Sequence, residues 1–76
     1  MSEPRELIDL SKIEAMRLTR ETMVFVQFGS GLIKTYEFKE SDVAELLTNA
    51  FVNWKIKERN DSLFIIWQSD LYGVQA

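Results

Sequence analysis

The stretch Thr22–Phe38, TMVFVQFGSGLIKTYEF, decides how the rest of the chain must be read. Two runs rich in β-branched and aromatic residues, Thr22–Phe28 and Leu32–Phe38, flank Gly29-Ser30-Gly31. Glycine reaches the positive φ angles that a tight turn needs, so the segment reads as a β-hairpin. The same glycines do not make a phosphate cradle, because no Lys-Ser or Lys-Thr pair follows them and no helix begins there. Loop length sets the register. A two-residue loop, Gly29-Ser30 or Ser30-Gly31, puts Met23, Phe25, Lys34, Tyr36 and Phe38 on one face, with Val24, Val26, Phe28, Ile33 and Thr35 on the other. A three-residue loop swaps the second strand.

Downstream, Val43, Leu46, Leu47, Ala50 and Phe51 recur at the spacing of one helical stripe. Ser41 is placed to cap it, and Asp42 and Glu45 put negative charge at the positive end of the macrodipole. The spacing predicts a helix over 42–51. Beyond it, Val52–Lys57 and Leu63–Trp67 bracket the polar cluster Glu58-Arg59-Asn60-Asp61-Ser62, which reads as a second hairpin. With a two-residue Asn60-Asp61 loop, Trp54, Ile56, Leu63, Ile65 and Trp67 share one face, and Lys55, Lys57, Arg59, Phe64 and Ile66 share the other.

Upstream, the apolar residues of 5–20 scatter around the helical wheel, which argues against one amphipathic helix. A strand over 13–19, turning at Arg20-Glu21, is expected in its place. Residues 1–6 and 69–76 are expected to fray, although Leu71, Tyr72 and Val74 offer the second segment an anchor. The chain then forms one α+β domain over 1–76. Its antiparallel sheet has four or five strands, with one amphipathic helix between two hairpins, in the order β-β-β-α-β-β.

Burial arithmetic makes that fold incomplete. A ten-residue helix is about 15 Å long and about 10 Å across, whereas four or five strands span roughly 20 Å. Thr22–Phe28 and Leu63–Trp67 are apolar on both faces, the pattern of strands covered from both sides. Either the sheet covers itself, as a partial barrel or with a folded-back N-terminal arm, or its second face meets a partner. The partner reading predicts a homodimer whose contact aromatics come from Phe25, Tyr36, Phe64 and Trp67.

Composition bounds the chemistry. The 76 residues are 46% apolar and 28% charged, with net charge −3 and neither cysteine nor histidine. Disulfides, Cys/His zinc sites, cysteine nucleophiles and histidine bases are therefore excluded. Glu37, Glu40, Asp42 and Glu45 form the densest acidic cluster, but without the spacing or glycine of a calcium loop they read as a solvated helix start. No catalytic, cofactor-binding or metal-binding residue is singled out. Lys55, Lys57 and Arg59, alternating along a strand beside Phe64, are the rival feature: such a stripe suits single-stranded nucleic acid. The overall acidity argues against it, since nucleic-acid binders carry a basic balance.

The opening residues are charged and no apolar run approaches the roughly 20 residues of a membrane span, so a cytoplasmic protein is expected. The expected function is non-catalytic: a small intracellular protein-binding module of regulator or inhibitor type, acting through an apolar sheet face. Alternatives are the single-strand binder and a binder of a nucleotide-like molecule at a subunit interface.

Overall fold

The computed structural model of the chain describes residues 4–57 and 61–75. Among the described residues it is an α+β fold of six strands and one helix. The strands are β1 (Arg5–Asp9), β2 (Ile13–Leu18), β3 (Met23–Phe28), β4 (Ile33–Phe38), β5 (Leu63–Trp67) and β6 (Leu71–Gln75), and the helix α1 (Ser41–Lys55) lies between β4 and β5. All pairings are antiparallel. β2-β3-β4-β6 form a four-stranded sheet, and β1 and β5 form a separate two-stranded ribbon. Short 3-10 turns at Leu10–Lys12 and Gln68–Asp70 join the ribbon to the sheet, the first between β1 and β2, the second between β5 and β6.

The central hairpin closes through a three-residue loop. Gly31 N–H donates to Phe28 O at 2.9 Å, Phe28 N–H donates to Leu32 O at 2.8 Å, and Gly31 holds φ at +96°. A left-handed third loop residue is what lets a turn of this length rejoin the ladder, and glycine takes that conformation without strain. Val24 thereby pairs with Tyr36 and Val26 with Lys34. The two-residue register is corrected: Tyr36 and Phe38 join Val24 and Val26 on the inner face, and all four are fully buried.

The helix runs past its expected end. Val52–Lys55, expected to open a strand, continues α1, because Leu47, Ala50, Phe51 and Trp54 keep helical spacing and no glycine or proline interrupts them. It stops where Lys57 adopts φ +63° and donates its N–H to Trp54 O, the left-handed ending usually given to glycine or asparagine. Glu40, not Ser41, occupies the N-cap position. The buried stripe is Ala44, Leu47, Ala50 and Phe51, with Val43 and Trp54 packed against it. Leu46, assigned to that stripe by spacing, is 61% exposed.

α1 packs on the inner face over β2, β3 and β4. The remainder of the core comes from the ribbon and its turn, through Ile8, Leu10, Phe64 and Ile66. Thus β5 pairs with the N-terminal strand β1 and not with Val52–Lys57. The folded-back N-terminal arm supplies the cover that the helix lacks. Segments expected to fray, at 5–6 and 71–75, belong to β1 and β6. No helix among the described residues is long and apolar enough to cross a membrane.

Candidate docking surface

Strand alternation gives the ribbon two unlike faces. In β1, Glu6 and Ile8 face the core while Arg5, Leu7 and Asp9 face out; in β5, Phe64 and Ile66 face the core while Leu63, Ile65 and Trp67 face out. Antiparallel pairing sets Leu7 opposite Ile65, Arg5 opposite Trp67 and Asp9 opposite Leu63. Leu7 is 57% exposed, Leu63 47%, Ile65 45% and Trp67 37%. Four large apolar side chains thus share the open face of a ribbon only five residues long.

Charged residues border the apolar patch and are held in place. The Arg5 guanidinium sits 5.8 Å from the Trp67 ring centroid, a cation–π contact that orients both. Asp9 Oδ1 accepts from Ser11 Oγ at 2.6 Å and from Ser11 N–H at 3.0 Å. These hydrogen bonds, the side-chain one foremost, hold the Asp9 carboxyl below its ordinary value and cap the first 3-10 turn.

Beneath the patch the ribbon is fastened to β4 by a polar contact. Glu6 Oε2 accepts from the Tyr36 hydroxyl and from Lys34 Nζ at 3.4 Å. Burial, followed by the neighbouring Glu6 carboxylate, pushes the Tyr36 phenol far above its ordinary value. Such a phenol is a donor that keeps its proton, which suits it to anchoring and not to acid–base chemistry. Among the described residues no buried side-chain polar atom lacks a partner, and no three acidic, histidine or cysteine side chains gather as a metal site would require.

The four aromatics from which the contact face was expected to draw are separated. Tyr36 and Phe64 are buried within the chain, Phe25 is half-buried on the outer face of the four-stranded sheet opposite Thr35, and Trp67 alone lies on the ribbon's outer face. The three-residue hairpin loop turned Tyr36 inward, and pairing with β1 turned Phe64 inward. Leu7 is not singled out by sequence pattern, because it lies in a five-residue strand too short to carry a periodic signal of its own.

The basic strand face is corrected as well. Lys55 is the last helical residue, its Nζ lying 5.3 Å from the Phe51 ring centroid, and Lys57 sits in the left-handed helix ending. Arg59 lies outside the described residues. Lys55 and Lys57 therefore do not alternate along a strand beside Phe64.

Other surface features are shallower in chemistry. An open depression of about 530 Å³ between the first 3-10 turn and the hairpin loop is lined by Lys12, Phe28 and Leu32 among others. A second, of about 290 Å³, runs alongside β1 and shares those three residues. Glu37, Glu40 and Asp42 are spread over the end of β4, the helix N-cap and the first helical turn. Comparison of the chain with family models, with curated proteins and with solved structures finds no match.

Proposed function

We propose that this chain is a non-catalytic protein-docking module of the cytoplasm whose contact surface is the outer face of the β1–β5 ribbon. The observation that carries the reading is the joint exposure of Leu7, Leu63, Ile65 and Trp67 on that face. Contiguous apolar surface left in water is costly, and rimmed by charges it has the composition of an interface centre, with a tryptophan and an arginine as anchors. Further support comes from the residue inventory, which holds neither histidine nor cysteine, and from the one buried hydroxyl with a shifted pKa, which is held protonated. A cysteine-free chain also suits a reducing compartment.

The test compares three baits in extract of the source cells: the unaltered chain, Ile65→Asp on the ribbon face, and Ile33→Asp on the outer face of the other sheet. Ile65 and Ile33 are equally exposed, at 45% and 43%. Proteins held by the unaltered chain and by Ile33→Asp, but released by Ile65→Asp with its thermal midpoint preserved, support the ribbon as the docking surface. Equal retention by all three baits refutes it.

A further inference from the structure

Along the outer edge of β1, the ladder between β1 and β5 leaves backbone groups over. Leu10 N–H donates to Ser62 O and Gln68 N–H donates to Pro4 O at the two ends of the ribbon. Antiparallel hydrogen bonding alternates along a strand, so the even-numbered residues of β1 bond to β5. The N–H and C=O groups of Arg5, Leu7 and Asp9 point the other way. Among the described residues no strand pairs with that edge.

An edge of this kind is usually blunted by charge. Here the charges are self-complementary. β1 reads Arg5-Glu6-Leu7-Ile8-Asp9, with Arg5, Leu7 and Asp9 on the outer face. Antiparallel pairing of two copies about Leu7 sets Arg5 against Asp9 of the second copy at both ends and leucine against leucine at the centre. Shifting the centre to Arg5 or to Asp9 opposes like charges, centring on Glu6 opposes two glutamates, and centring on Ile8 sets Asp9 against leucine. Within β1 only the register about Leu7 opposes unlike charges, with Glu6 set against Ile8 of the second copy on the inner face. β5 carries no charged residue on its outer face, so nothing there makes the same selection.

We infer that the occupant of the β1 edge is a second copy of this chain, paired antiparallel about Leu7 in a two-fold dimer with the strand order β5-β1-β1-β5. This rests on the reading of the ribbon as the contact surface and deepens it. The pairing is isologous, as a closed dimer requires. It brings the exposed leucines at position 7 together and merges the two outer faces into one apolar strip running from Ile65 of one copy to Ile65 of the other. Arg5 lies over Trp67 of the neighbouring β5, so on pairing its guanidinium exchanges that ring contact for the carboxylate of the second copy.

Two experiments test the register. Arg5→Asp and Asp9→Arg chains each present like charges at both ends of the pair, and each alone is expected to dimerise at least tenfold more weakly than the unaltered chain in sedimentation equilibrium. Mixed one to one, they restore two attractive contacts, and a heterodimer is expected. Because Asp9 also caps a turn, a second measurement avoids altering it. The chain has no cysteine, so single-cysteine variants report one position each. Directly opposed residues on the bonded side of the ladder have Cα atoms about 5.5 Å apart, within the range a disulfide spans. Leu7→Cys should oxidise to a covalent dimer. Ile65→Cys, three strand spacings or about 14 Å from its counterpart, should not.

A heterodimer in the mixture together with cross-linking at 7 alone supports the proposal. Cross-linking at 65 as fast as at 7, or a dimer indifferent to both charge variants, overturns it in favour of another contact between copies. A chain that stays monomeric to about 100 micromolar, above the range of most specific associations, overturns self-pairing outright. In that case the bait experiment still decides the docking reading separately.

Discussion

At the scale of the residue, Tyr36 joins the ribbon to the sheet. Its ring is buried, 6.4 Å from that of Phe38, and its hydroxyl donates to Glu6 across the junction. Tyr36→Phe keeps the ring and removes the bond. Because the acceptor is charged but part-exposed, a cost of about 1.5 kcal/mol in chemical unfolding is expected. A pH signature accompanies it. Below about pH 10, the ordinary value of a phenol, Tyr36 is neutral in both states and its contribution is complete. As pH rises beyond that, the unfolded chain releases the proton and the folded chain retains it, so the unfolded state is favoured. Stability should therefore fall more steeply between about pH 10 and 12 for the unaltered chain than for Tyr36→Phe. Parallel curves would show that the phenol is not held in its protonated form. The Lys34–Glu6 pair beside it is part-exposed and contributes at most about 1 kcal/mol.

At the scale of the element, α1 shows how a stripe read from spacing is refined by packing. Leu46 and Leu47 are neighbours in sequence and chemically identical, yet Leu47 is fully buried and Leu46 is 61% exposed. The docked arc of the helix is centred near Leu47, between Val43 and Phe51, and Leu46 lies a full 100° step to one side. Leu47→Ala should cost about 2–5 kcal/mol, the range for emptying a buried leucine site. Leu46→Ala should change stability by less than about 0.5 kcal/mol, as exposed substitutions do. Denaturant midpoints for the two variants check this directly, and similar shifts would mean the helix sits on the sheet by a different face. The same reasoning explains why α1 outruns its expected end: Trp54 extends the line through Leu47 and Phe51 by one further turn.

At the scale of the whole molecule, the N-terminal strand closes the core. A chain of this size buries too little apolar surface to spare one of its elements. β1 supplies Ile8 to the core, Glu6 to the Tyr36 hydroxyl, and the only paired edge of β5 among the described residues. A chain beginning at Leu10 would leave Phe64 and Ile66 without their cross-strand partners, and its thermal unfolding should lose cooperativity and its near-ultraviolet circular dichroism. A sharp transition near the original midpoint would instead show the ribbon to be a peripheral addition. The ribbon's double duty, core on one face and open apolar surface on the other, follows from strand alternation: Phe64 and Ile66 cannot face in without Leu63, Ile65 and Trp67 facing out.

Local chemistry was enough to specify the α+β class, the glycine-closed central hairpin, β2, β5 and the presence of a helix over 42–51, because period-two and 3.6-residue patterns and turn glycines act within a few residues of themselves. The apolar excess on both sides of β5 was likewise legible in LFIIW. Other features depended on partners distant in the chain. Arg5–Asp9 is a strand because Leu63–Trp67 lies across from it, and five residues hold no periodicity that could announce this alone. Whether Tyr36 faced in or out turned on one residue of loop length, since each step of register inverts every side chain that follows. Val52–Lys55 alternates like a strand and also fits a helix, and the core space beneath Trp54 decided between them. The exposed face of the ribbon could be located only in three dimensions, because the sequence specifies how much apolar surface exists while the packing of distant segments determines which part of it remains in water.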